Sequence, residues 1–243
     1  MKNFKFYGVA LLLGVMALFQ SCDDGDGYSI GDIAVDYVTV HVQGGNAYSF
    51  TGDTWGTIWP AAPTFINGFR PVDGQRAFLV FNPLYDDFQG YDVAVKVEDI
   101  KPILTKQVET ITAADEKTYG DDPVRITDCW MAGGYMNIIF NQHVPMSHKH
   151  RVSLVENTDE QYEDDGYVHL EYRYNTYGDT LNPVMIRSIV SYNLNSVDLA
   201  NKLGVKMRIN SAVNGERILQ FDSKNQTVPE NLEKPDADTS YME

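Results

Sequence analysis

Three histidines stand close together in the second half of the chain, His143, His148 and His150, in an H-x₄-H-x-H spacing, with His169 about a strand's length further on. Side chains two apart on a β-strand share a face. His148 and His150 could therefore hold Zn²⁺ or Cu²⁺ with a third group from a neighbouring strand, the start of a metal-dependent hydrolase. Pro145 and Ser147 signal a turn there, and no carboxylate or thiolate is spaced locally to finish the set, so solvent-facing histidines are the simpler reading. Asp86-Asp87, Asp121-Asp122 and Glu163-Asp164-Asp165 are adjacent acids in loops. A glycosidase needs two carboxylates on opposite sides of a sugar, which adjacent loop acids do not offer. Asp24-Gly25-Asp26-Gly27 echoes a calcium loop but lacks the later Glu that such a loop uses. Trp55 and Trp59, four apart in Trp-Gly-Thr-Ile-Trp, would share one face of a strand. They form either a platform on which sugar rings stack or part of a core.

Cys129 reads as a small buried hydrophobe on a strand rather than a nucleophile. The chain has no G-x-S-x-G, H-E-x-x-H, P-loop or G-x-G-x-x-G pattern. No catalytic residue is therefore assigned, no cofactor is expected, and a non-enzymatic role follows.

The N-terminus addresses the chain to a membrane. Lys2 and Lys5 precede the apolar run Phe6–Phe19, which is shorter than the about 20 residues of a membrane-spanning helix and fits the apolar region of a secretory signal. Cys22 follows at once, then Asp23, Asp24 and Asp26. This resembles a bacterial lipoprotein signal, with Cys22 as the lipidated first residue of the mature chain. The resemblance to Bacteroidetes lipoproteins makes the acidic residues an export signal to the cell surface. An outer-membrane lipoprotein on the surface or periplasmic face is the expected location. One acyl chain holds a protein only marginally, and two or more make the anchor stable.

Over its 243 residues the chain carries 34 acidic and 19 basic residues, a net charge of −15. Such a chain repels polyanions, so nucleic acid is excluded as a partner. Two cysteines rule out a disulfide scaffold.

The elements that must position these residues are strands, because alternation of apolar and polar residues dominates the chain. Val35–Val42, Ala47–Phe50, Trp55–Trp59, Gln75–Asn82, Tyr91–Val97 and Ile103–Ile111 form a first set, fit for a small closed barrel of the OB type. Residues 113–123, polar with Gly and Pro, read as a linker. Seven more strands follow: Val124–Trp130, Tyr135–Phe140, His150–Glu156, Tyr167–Tyr174, Val184–Leu194, Val205–Ile209 and Arg217–Phe221. They fit a β-sandwich. Ser196–Leu203 is the one helical turn expected. The resulting plan is all-β: signal 1–21, acidic tether 22–32, OB-like barrel 33–113, linker 114–123, sandwich 124–225 and a disordered tail 226–243.

The second half carries Asp128-Cys129-Trp130, Gly134 to Phe140, His148 to Val155, Leu170 to Asn175, Gly178-Asp179 and Val190 to Leu194, and the first half Asp73 to Val80 and Tyr91-Asp92-Val93. In this order they resemble the NigD-like lipoproteins of Bacteroides and Prevotella relatives, over nearly the whole mature chain. The resemblance implies an N-terminal OB-like domain and a C-terminal β-sandwich domain. It attaches a bacteriocin-associated, immunity-type role by association, and no catalytic residue. The expected function is a binding or assembly module for a protein, peptide or glycan partner. Capture of a cationic toxin is the alternative, which the negative charge would suit.

Overall fold

A computed structural model describes residues 27–29, 31–44, 47–62, 68–225, 227–236 and 239–243. Cys22, Asp23, Asp24 and Asp26 lie outside these residues. Among the described residues no helix is long and apolar enough to cross a membrane.

Five strands close the first barrel: β1 (Ala34–Gly44), β2 (Ala47–Gly52), β3 (Thr57–Ala62), β4 (Arg76–Phe88) and β5 (Tyr91–Pro102), in the order β1-β2-β3-β5-β4. Only β3 and β5 run parallel. Alternate residues fill the interior, among them Val38, Val40, Phe50, Ile58, Leu79, Phe81, Val93 and Val95. Strand β4 runs six residues past the expected end at Asn82, because the ladder absorbs Pro83 in a register shift between Pro83 and Tyr85.

The segment expected as the last barrel strand, Ile103–Ile111, belongs to the sandwich instead. It splits at Val108 into β6 (Leu104–Gln107) and β7 (Glu109–Ile111). Strand β6 pairs in parallel with β12 (Met185–Asn193), and β7 in parallel with β10 (Arg151–Asn157). Leu104, Val108 and Ile111 point the reason: the first two pack on the sandwich core and the third is fully buried. The crossover between domains therefore lies at Ile103, not between residues 113 and 124.

Two sheets make the sandwich. The four-stranded sheet has the order β6-β12-β9-β8, with β8 (Arg125–Ala132) and β9 (Tyr135–His143). The five-stranded sheet has the order β14-β13-β11-β10-β7, with β11 (Tyr167–Asn175), β13 (Gly204–Ser211) and β14 (Gly215–Asp222). All seven strands expected here form.

Three expectations about connecting segments change. The polar stretch taken as a linker holds a 3₁₀ turn, Ala113–Asp115, and a one-turn helix α1 (Glu116–Tyr119), laid on β10 and β11. Asp122 locks it down by accepting from the backbone N–H and the hydroxyl of Thr176, at 2.8 and 2.5 Å. Ser196–Leu203 forms no helix; only Leu194–Ser196 makes a 3₁₀ turn. So short a segment cannot offset helix nucleation, and Val197 and Leu199 reach the sandwich core without it. The tail is a strap rather than a loose end. Val228 and Leu232 pack at the junction of the two domains. The Tyr37 hydroxyl donates to the Glu233 carbonyl at 2.8 Å, and Lys101 Nζ to that of Pro235 at 2.7 Å. The last residues pair in parallel with the start of β10, burying Met242 in the sandwich core. Apolar residues spaced through a polar segment hold it down.

Near the N-terminus, too, residues assigned to the tether are docked. Tyr28 packs against Trp55 and donates to Asp86 at 2.8 Å.

Candidate functional site

The residues singled out by type disperse. His150 is fully buried, whereas His148 is exposed in the bend before the strand, so the two share no face. The Asp179 carbonyl, which can only accept, lies 3.0 Å from His150 Nε2 and fixes the proton there. In the neutral ring Nδ1 then accepts from the Tyr174 hydroxyl at 2.7 Å. Burial pushes the His150 pKa down from its ordinary 6.5. His143 Nδ1 sits 2.6 Å from the Asn182 carbonyl. Among the described residues no three His, Cys, Asp or Glu side chains gather as a metal site.

Trp55 and Trp59 also part. Gly56 sits between them at φ +67°, and a side chain there would collide with the Asp92 carboxylate, so the strand begins only at Thr57. Trp55 packs edge-on against Phe81 at the barrel core, and Trp59 lies against Tyr91. They form no shared platform. Cys129 is only partly exposed, and burial together with Asp128 pushes its thiol pKa up to about 12. A thiol at that value stays protonated and unreactive near neutral pH.

The structure gathers a different set. In β11, Leu170, Tyr172 and Tyr174 point into the sandwich core, which turns His169, Glu171 and Arg173 to the opposite face. In β13, Val205, Met207 and Ile209 point inward and Lys206 and Arg208 outward. The two strands run parallel with His169 opposite Lys206 and Glu171 opposite Arg208. Helix α1 and Asp121 wall one side of this face, and the loop through Glu160 and Tyr162 walls the other. The result is a groove of about 390 Å³.

Its floor is an ion-pair network. Arg173 donates to both oxygens of Glu116 at 3.0 Å and pairs with Glu171. Arg208 forks onto Asp121 at 2.7 and 3.3 Å and donates through Nε to Glu216 at 2.9 Å. These contacts hold the Arg208 guanidinium well above its usual value. Lys206 donates to Asp165 at 2.5 Å, which, more than any other contact, holds that carboxyl well below its ordinary range. The Tyr162 hydroxyl donates to Glu171 at 2.9 Å, and its ring stacks on His169 at 4.4 Å. Burial, then the bond to Glu171, raises the Tyr162 pKa and keeps it a donor.

Two consequences follow for chemistry. Every contact to Glu171 is a donor, so the carboxylate is fixed in place; among the described residues no Ser or Cys side chain lines this groove, and Ser196 lines the bay that His169 also borders. Each cation is matched within the network, whereas carboxylates are in excess: Glu116, Asp121, Glu160, Glu171 and Glu216 line the groove against Arg173, Lys206 and Arg208. A second bay beyond Tyr162 adds Glu156, Glu163, Asp164 and Asp198 against Lys202. The open face therefore carries a net negative field. The alternating His-Leu-Glu-Tyr-Arg and Val-Lys-Met-Arg of β11 and β13 were the available signal: charges at every second place, facing one another once the strands pair.

The chain matches the model of the NigD-like N-terminal OB domain over residues 37–103 and that of the NigD-like C-terminal beta sandwich domain over residues 107–223. The first of these ends where the structure puts the crossover. Among solved structures it is similar to a protein from Parabacteroides distasonis, provisionally described as toxin-related. The two share 30% identity over 77% of this chain and 91% of the other, with a TM-score of 0.66. It shares its fold with a Bacteroides vulgatus protein of unknown function, at 22% identity over 78% and 90% of the two chains and a TM-score of 0.70. A NigD-like immunity protein from Bacteroides caccae has the same fold, at 19% identity over 79% and 94% and a TM-score of 0.56. No curated protein matches the sequence.

Proposed function

The chain belongs to the NigD-like family, and from that premise we propose that it is a non-enzymatic lipoprotein of the cell envelope, anchored in the outer membrane through Cys22, whose sandwich groove binds a cationic segment of a protein or peptide partner. The observation that carries this reading is the unequal charge of the groove: five carboxylates line it against three cations, each cation is already engaged, and Glu116, Glu160 and Glu216 stand open to solvent. A cation brought to such a face meets acceptors that are held in place before it arrives, which lowers the ordering cost of binding.

Calorimetric titration of the Cys22→Ala protein with a lysine-rich peptide tests it. Binding should weaken as salt rises, since exposed charges are screened beyond about 10 Å at 0.1 M. It should be lost in the Glu160→Lys/Glu216→Lys variant. Equal affinity in that variant would sink the reading. Protease shaving of intact cells tests the anchor: wild type shaved and an Asp23→Ala/Asp24→Ala variant protected would place the protein on the surface, and a protected wild type would move the search to periplasmic partners.

A bacteriocin-associated role is the second reading. It is favoured by the toxin-related description of the 30% identical relative and by the acidic groove, which suits a cationic toxin. If expression of the protein leaves sensitivity to cationic peptides unchanged, this reading fails.

A further inference from the structure

We infer that the groove's ligand is an extended peptide segment that joins the five-stranded sheet as an additional strand along β14, which rests on the reading of the groove as a site for cationic segments. The edges of the two sheets differ. Strands β6 and β7 are four and three residues long, and β8 is broken by a bulge between Ile126 and Asp128. Strand β14 runs for eight residues in unbroken register with β13 and has no strand on its other side among the described residues. Short or bulged edges resist pairing with another chain, whereas a long regular edge offers a row of backbone groups to it.

The phase of the ladder shows which groups are on offer. The Ser223 amide donates to the Leu203 carbonyl at 2.8 Å, one step beyond the Gly204–Asp222 pair. Opposed residues on antiparallel strands alternate between bonded and unbonded pairs. Counting back by twos, the amides of Glu216, Ile218 and Gln220 turn away from β13. The side chains of Glu216 and Ile218 line the groove, with Ile218 62% exposed. On the other face of β14, Leu219 and Phe221 lie only partly buried against the sandwich core. A small cavity beside Phe221 is lined by Trp130 and Met131 of β8.

An added strand would thus meet Glu216, Ile218 and Gln220 on the groove face, and Arg217, Leu219 and Phe221 on the other. The complementary segment alternates basic residues toward the groove with apolar residues toward Leu219 and Phe221. Main-chain bonds along such an edge supply affinity, and alternate side chains supply specificity.

The test uses the Cys22→Ala protein and a decapeptide of alternating lysine and valine, with two further copies in which alternate backbone amides are methylated, one set in each. Strand addition predicts that one methylated copy binds at least about tenfold more weakly, equivalent to about 1.4 kcal/mol, while the other binds like the parent. Ile218→Pro should weaken the parent peptide similarly with an unchanged melting temperature, because it removes an amide that β13 does not use. If both methylated copies bind alike, or Ile218→Pro is silent, strand addition is overturned. The groove reading then still stands so long as Glu160→Lys/Glu216→Lys abolishes binding. If the parent peptide fails to bind at all, both fall. If sedimentation shows a dimer that Ile218→Pro dissociates, the edge belongs to a second copy of this chain and the proposal is overturned.

Discussion

Arginine and carboxylate meet in two places in this molecule, with different surroundings. At the junction of barrel and sandwich, Arg76 and Asp53 pair at 2.6 Å with side chains 0% and 1% exposed. Asp53 also accepts from Trp130 Nε1 at 2.9 Å, and Arg76 donates to Thr39 at 3.1 Å and Asn137 at 3.3 Å. Thr39, Asp53 and Arg76 come from the barrel, and Trp130 and Asn137 from the sandwich. In the groove, Glu171 and Arg173 are similarly buried, at 2% and 4%, but Glu116 and Glu216, which complete the pairing, are 46% and 65% exposed. The sealed network is matched charge for charge and ties two domains together. The open one has carboxylates to spare. Residue type does not tell the two networks apart; solvent access and surplus charge do.

The largest effect should come from opening the seal. Asp53→Ala leaves the Arg76 guanidinium buried without its carboxylate and Trp130 Nε1 without an acceptor. Breaking a buried pair this way costs about 3–5 kcal/mol, to be read as a shift in the urea midpoint. The Asp53→Leu/Arg76→Met double variant should recover most of that loss, because the removed charges no longer need desolvating. If the single variant loses less than about 1 kcal/mol, the range of an exposed pair, the contrast between the two networks collapses.

The strap offers a second sealed contact to open, this one inside the sandwich. Met242 is 3% exposed in the sandwich core, and its removal as Met242→Ala should cost about 2–5 kcal/mol. A smaller loss, with proteolysis confined to the tail, would show that the end of the strap is a passenger on the sandwich.

What the sequence made legible follows from this contrast. Strand alternation is local, so β8–β14 could be read from period alone, and the closed barrel with them. The strap could not be read, because Val228, Leu232 and Met242 are isolated apolar residues in a polar, proline-bearing stretch and are ordered only by surfaces from both domains. The same holds for β6 and β7: Val108 interrupts an apparently single strand, and only the sheets on either side decide where each half goes. The groove was half legible. The charges on β11 and β13 show their alternation, but that Glu171 faces Arg208 depends on parallel pairing across more than thirty residues of intervening chain. The reading of the histidines as solvent-facing holds for His148 and fails for His150, because the strand starts after His148 and carries His150 into the interior.

His150 sharpens the comparison inside the sandwich, where a titratable group is buried and forms no ion pair among the described residues, and burial outweighs the pull of Asp179 and Asp122. Its folded pKa lies below 6.5 because burial disfavours the cation. Between 6.5 and that lower value the unfolded chain binds the extra proton, so stability is complete above pH 6.5 and falls as the pH drops through the window. The slope should be at most about 1.4 kcal/mol per pH unit. Below about pH 4 a second loss begins, because Asp179 is held down to about 2 chiefly by the Ser147 amide. A His150→Gln variant should flatten the first window and leave the second, as urea midpoints across pH would show. A wild-type protein whose stability is flat between pH 6.5 and 5 would mean that His150 is not sealed in solution.

The smallest effect on stability belongs to the groove, and a binding role requires it to be small. Glu216 is 65% exposed where it meets Arg208, and exposed pairs are worth about 0–1 kcal/mol. Arg208 keeps its forked contact to Asp121 when Glu216 is neutralised. Glu216→Gln should therefore shift the urea midpoint by no more than measurement error, and Glu160→Gln likewise, while both weaken a lysine-rich peptide in calorimetry. If Glu216→Gln instead destabilised the fold by as much as Asp53→Ala, the groove would be a second structural seal. Its surplus of carboxylates would then have to be explained by the fold rather than by a ligand.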